Sequence, residues 1–191
     1  AAVPDAAPVD AAPVVPKPAP GEVLITEIMY NTLKGAEPDA EWIELHNLAS
    51  SPRTLSGLTL KDGGARTHVI GAGVTIAPGA YVVLARDKSV ATGTALVPAS
   101  AVVYEYGKGM PSNAGVQLAN AASGSITLLN GAATIAHVPY GSWFSQSGGS
   151  SIQLDVLTPA QASAAASWCL SFSQWTTGSD KGTPGAANNC P

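Results

Sequence analysis

From Gly21 onward the chain alternates short apolar runs with turn residues. Runs rich in β-branched, aromatic and leucine side chains occur at Val23 to Tyr30, Glu41 to Asn47, Leu58 to Leu60, Thr67 to Ile70 and Tyr81 to Ala85. They continue at Val102 to Tyr106, Val116 to Leu118, Ser125 to Leu129, Thr134 to His137 and Ser151 to Leu154. Short runs of this kind, bounded by Gly, Pro, Asn and Ser, predict strands of a sandwich or barrel rather than βαβ units. In the second run Ile43 and Leu45 share one face and Trp42, Glu44 and His46 the other, because successive strand side chains point to opposite faces. The Ile43 face is expected to be core. Asn130-Gly131 signals a hairpin, and Ala77-Pro78-Gly79 a type II turn feeding Tyr81-Val82-Val83-Leu84. One short helix is expected near the C-terminus, where Thr158 offers an N-cap, Pro159 a first helical position and Gln161 a capping-box partner ahead of an Ala-rich stretch to about Ser167.

Residues 1–20 read differently. Loose Ala/Pro pentads favour extended polyproline II geometry at ~3.1 Å per residue, giving a flexible linker or stalk that reaches roughly 60 Å and leaves residues 21–191 as one domain. With 46% apolar residues the chain can bury a sizeable core, while only 12% charged residues leave its surface polar but weakly charged. The net charge of −4 and the absence of a Lys/Arg cluster argue against nucleic acid as a partner. Cys169 and Cys190 show no metal-ligand spacing. A disulfide between them is the simplest reading, closing a roughly 20-residue loop for about 3 kcal/mol and requiring an oxidising compartment; two buried free thiols are the alternative. No apolar run is long enough to span a bilayer, and a lipid anchor attached upstream would fit the stalk.

Val23-Leu24-Ile25-Thr26-Glu27-Ile28, Glu41-Trp42-Ile43-Glu44-Leu45-His46-Asn47, Leu55-Ser56-Gly57-Leu58-Thr59-Leu60 and Gly182-Thr183-Pro184-Gly185-Ala186-Ala187-Asn188 together resemble the lamin-tail domain family of bacteria. The resemblance runs from about Gly21 to Asn189 and implies an all-β, immunoglobulin-like β-sandwich, in agreement with the strand and turn reading. It also implies an accessory module of secreted or surface proteins without shared catalytic residues. The cysteine pair and an insertion-like region, Ser89 to Asn120, depart from the family pattern, so surface functions of relatives do not carry over.

Several groups carry candidate chemistry. Glu37, Asp39 and Glu41 on one loop could supply oxygens to Ca²⁺, although no EF-hand spacing is present; otherwise they form a solvated loop. Glu27 and Glu44 could form a paired-carboxylate hydrolase, or could instead hold neighbouring loops by accepting backbone N–H bonds. Glu27, Trp42, Glu44 and Asn47 are assigned structural roles, with Trp168 and Trp175 packing near the disulfide. His46, His68 and His137 fall singly, at no metal-ligand spacing. Tyr140, Trp143 and Phe144 stand among Ser, Gly and Gln and could form an exposed ligand loop. Ser147-Gly148-Gly149-Ser150 is not a nucleophile turn, and Gly107-Lys108-Gly109 is not a phosphate loop.

These readings converge on a non-enzymatic extracytoplasmic module, secreted or held at the cell surface, that binds a protein, polysaccharide or matrix partner and carries no cofactor. A Ca²⁺-stabilised adhesion domain is the first alternative. An accessory domain of a secreted hydrolase or nuclease is the second.

Overall fold

Apolar alternation organises the chain into strands β1 (Val23–Met29), β2 (Trp42–Asn47), β3 (Arg53–Thr54), β4 (Thr59–Asp62), β5 (Thr67–Val69), β6 (Thr75–Ile76) and β7 (Tyr81–Ala85). After helix α1 (Lys88–Gly93) follow β8 (Val102–Glu105), β9 (Ile126–Asn130), β10 (Ala133–Val138), β11 (Ile152–Leu154) and β12 (Trp168–Leu170). The computed structural model describes residues 14–64, 66–144 and 148–191. A six-stranded sheet, ordered β12-β11-β1-β2-β7-β8, faces a four-stranded sheet, ordered β10-β9-β4-β5, and β3 and β6 form a separate pair. The chain folds as the expected all-β sandwich.

Between the sheets lie Ile25, Ile28, Ile43, Leu45, Val82, Leu84, Ile152 and Leu154 from the larger sheet, packed on Leu60, Ile126 and Leu128 from the smaller. This confirms the Ile43/Leu45 face as core. The opposite face of β2 is also buried: Trp42, with Met29, Val83 and Ala85, forms a second apolar cluster beneath Ala91 of α1, Ala95, Val97 and Trp175. The large sheet is therefore covered on both faces. Burial of both faces explains why β1 and β2 are buried at every position, polar ones included.

Two segments depart from the expected elements for a visible reason. Val116 and Leu118 are buried, yet the segment Val116 to Leu118 forms no strand. Its ladder groups are taken by side chains instead: Arg86 Nη1 donates to the Val116 carbonyl, while the Gln117 and Leu118 N–H groups donate to Asp62 and Glu41. The helix expected after Thr158 is a single turn, with the Gln161 and Ala162 N–H groups returning to the Thr158 carbonyl. Propagation stops because Trp168 Nε1 takes the Ala162 carbonyl at 3.1 Å as its ring is buried at the head of β12. A short 3₁₀ turn, Ala165–Ser167, follows. Among the described residues the α-helix is α1, capped by Asp87, whose side chain accepts from the Ser89 and Val90 N–H groups. It lies in the crossover that lets β8 run parallel to β7.

Residues 1–13 of the expected stalk lie outside the described residues. Its remainder is seated on the sandwich: Thr54 N–H donates to the Pro16 carbonyl at 2.9 Å, Lys17 Nζ reaches the Gly57 carbonyl, and Pro18 is buried. Glu22 then grips Arg53 through two contacts of 2.7 Å. Residues ahead of Gly21, the expected boundary, are thus packed on the sandwich.

Candidate functional site

Antiparallel pairing of β1 and β2 sets Glu27 directly opposite Glu44, just past a bulge at Thr26. Both carboxylates are fully buried on the outer face of the large sheet. Ionised carboxylates only accept, and each can take several donors. Glu27 receives the Thr183 N–H at 2.9 Å, the Thr183 hydroxyl at 3.0 Å, Gln153 Nε2 at 3.1 Å and the Ser151 hydroxyl. Glu44 receives the Thr26 hydroxyl at 2.8 Å and the Gly185 N–H at 2.7 Å.

The tail Gly182 to Asn189 is thereby drawn across the sheet, and its sequence fits that path. A Cβ on Gly182 would come within 2.6 Å of Glu27 Oε1, and Gly185 sits at φ +84°. Asn188 completes the attachment by donating to the Thr26 and Leu154 carbonyls. Cys190, one residue beyond Asn189, is joined to Cys169 of β12 across a Cα–Cα distance of 5.8 Å. Burial raises the pKa of both Glu27 and Glu44, and for Glu44 the facing Glu27 adds to the rise.

A second polar centre closes one end of the inter-sheet core. Glu41 continues the inward row of Ile43 and Leu45, and Arg86 the row of Val82 and Leu84. Arg86 is wholly buried, and it donates to the carbonyls of Val116 at 2.6 Å, Ala114 at 2.9 Å and Pro111 at 3.2 Å. Glu41 accepts the Leu118 N–H at 2.8 Å. Desolvation pushes its pKa up to about 8, and the nearby Glu37 charge adds to the rise. Asp62 joins from β4, accepting from Gly64, Arg66 and Gln117. A cavity of about 330 Å³ opens beside Glu41, lined by Glu37, Pro38, Gln117 and Asn120 among others.

The acids considered for Ca²⁺ separate in three dimensions. Glu37 accepts from Thr32 N–H and Asn120 Nδ2, Asp39 faces Arg86 at 3.4 Å, and Glu41 turns to Leu118. Among the described residues no three His, Cys, Asp or Glu side chains converge to hold a metal. The paired-carboxylate hydrolase reading also fails at Glu27 and Glu44, which are enclosed and bonded to backbone N–H groups of their own chain.

The aromatic loop turns inward rather than outward. Tyr140 is buried and stacks on Tyr30 at 4.9 Å, Trp143 packs against Trp168 at 5.8 Å, and Phe144 rests on the inter-sheet core. The three side chains take up the same apolar surface that a ligand would have used. Ser147 of the neighbouring loop lies outside the described residues. Trp175, expected beside the disulfide, packs edge-on against Trp42 instead. Asn47 serves as a structural clamp, donating to the carbonyls of Ser51, Ile76 and Ala77 and accepting from Ala49. His46, His68 and His137 each meet a separate partner: the Ala80 carbonyl, the Tyr104 hydroxyl and the Thr127 hydroxyl.

Arg86 and Asp62 escaped the sequence reading. For Arg86 a signal was present, a charged residue at the next inward position after Val82 and Leu84, where period-2 alternation calls for a core side chain. Asp62 carried a weaker one, since Asp62-Gly63-Gly64 reads as an ordinary turn.

Both centres use buried polar groups to fasten irregular chain to a sandwich. No curated protein and no solved structure matches the chain. Residues 16–142, which include β1 to β10, match the family model of the Lamin Tail Domain. Its immunoglobulin-like sandwich is the architecture described above, and the chain belongs to the lamin tail domain family.

Proposed function

We propose that this chain is a non-catalytic binding or structural module working outside the cytoplasm, where it engages a protein or polysaccharide partner. The observation that carries the reading is the commitment of its buried acids. Glu27, Glu41, Glu44 and Asp62 all accept backbone N–H groups of the chain itself, so they hold the scaffold rather than face a substrate. The Cys169–Cys190 bond supports an oxidising compartment.

Fractionation of cells producing the full protein, with alkylation of free thiols before any reduction, tests the compartment. The expected result is recovery outside the cytoplasm with both cysteines blocked; a cytoplasmic pool with two alkylated thiols would overturn it. The purified protein is further expected to be depleted saturably by envelope or matrix polymers while leaving ester and glycoside substrates intact. Saturable turnover of such substrates would remove the non-catalytic reading.

A further inference from the structure

The donors around Glu27 include a hydroxyl and a carboxamide held against each other. Gln153 Nε2 donates to Thr183 Oγ1 at 2.7 Å, and the Thr183 hydroxyl points to Glu27 Oε2 at 3.0 Å, with Asn188 Oδ1 farther off at 3.3 Å. Since an amide C–N bond is ~1.3 Å, Gln153 Cδ lies within ~4 Å of that hydroxyl oxygen, close to the ~3–3.5 Å of a reacting pair. The Asn189 N–H donates to Gln153 Oε1 at 3.3 Å, where negative charge would develop if the carbonyl were attacked. Gln153 and Glu27 are fully buried, while Thr183 is half-buried and offers the way out. A nucleophile, a base, an electrophile and a carbonyl-polarising donor thus meet in one enclosed place.

We propose that Thr183 and Gln153 react to form an intramolecular ester, a single self-cross-linking event, without turnover, between the tail and β11. Thr183 Oγ1 passes its proton to the Glu27 carboxylate and adds to Gln153 Cδ. The Cδ–Nε2 bond then breaks as Glu27 returns the proton to the nitrogen, and ammonia leaves. One Cδ–Oγ1 bond replaces one Cδ–Nε2 bond, Glu27 ends as it began, and nothing is oxidised or reduced. Burial, which raises the Glu27 pKa, makes its carboxylate a stronger base than an exposed glutamate. The same burial shields the ester from hydrolysis, and ammonia, protonated and diluted in bulk water, does not return. This inference does not depend on the compartment or partner proposed above.

Mass spectrometry of the full, reduced chain after incubation at neutral pH tests it. The intact mass is expected about 17 Da below the sequence mass, the loss of one ammonia. Digestion should yield a peptide pair joined through Thr183 and Gln153, which hydroxylamine separates. Thr183→Ala and Gln153→Glu should both restore the mass expected for their sequences, and Thr183→Ser should keep the deficit. A wild-type chain at full mass would overturn the proposal. So would a deficit that persists in Thr183→Ala, because a cyclised asparagine such as Asn130 before Gly131 loses the same ammonia.

Discussion

Around Glu27 and Glu44, irregular chain is fastened to the large sheet by carboxylates whose bonded partners are N–H, hydroxyl and amide groups. Around Glu41 the same task includes a cation, Arg86, buried as deeply as the acid. A nearby guanidinium would be expected to hold the Glu41 carboxyl low. Its pKa instead rises to about 8, because desolvation outweighs the attraction of Arg86. The guanidinium spends its short hydrogen bonds on the carbonyls of Val116, Ala114 and Pro111 rather than on the acid. The two centres therefore differ less in charge than their residues suggest. In each, side chains replace the backbone partners that a strand would have supplied.

The largest expected effect follows from Arg86. Arg86→Ala takes the donor from three carbonyls, that of Val116 buried, and losing a buried charged partner costs about 3–5 kcal/mol. The urea midpoint should fall accordingly, with hydrogen exchange rising first across residues 107–118. A loss under about 1 kcal/mol would mean the loop holds itself, and the comparison between the centres would collapse.

Next in size is a pH effect at Glu41. Its folded pKa of about 8 exceeds the 4.5 of an ordinary glutamate, so its stabilising contribution is complete below about 4.5 and is lost as pH climbs through 8. At ~1.4 kcal/mol per pKa unit, the loss by pH 7 has a ceiling of roughly 3 kcal/mol. Urea melts across this window should show falling stability in the parent, and a shallower fall in Glu41→Gln. A rise of stability with pH that is unchanged by Glu41→Gln would sink this account.

How much of this could be read in the sequence follows from the same physics. The inter-sheet core was legible because Ile43, Leu45, Val82 and Leu84 obey a period-2 rule that local sequence displays. Glu27 and Glu44 could be named as loop-holding acids from their places in the strands. Their partners Thr183 and Gly185, more than a hundred residues away, could not be assigned, because the pairing depends on which face the tail crosses. Trp143 and Phe144 misled for a related reason: polar neighbours say nothing about the core surface left open beside Trp168. The Ala-rich run after Pro159 had helix propensity on its side, a preference of tenths of a kcal/mol per residue that gave way to burial of Trp168.

The smallest effect separates charge from shape at the tail centre. Glu44→Gln removes the ionisable group but keeps one carbonyl oxygen, which can still accept the Gly185 N–H. The new amide nitrogen then faces Thr26 Oγ1, and a hydroxyl can rotate from donor to acceptor, so the bond survives with its direction reversed. The substitution should therefore cost under about 1 kcal/mol near pH 5, since both partners keep a bond, while burial and the facing Glu27 raise the parent carboxyl's pKa. As pH rises the parent must charge this site while the amide stays neutral, so the variant should overtake it. Paired urea melts at pH 5 and pH 9 check the crossing. If the parent keeps its advantage at pH 9, then the carboxylate charge itself, and not the acceptor geometry, is what binds the tail to the sheet.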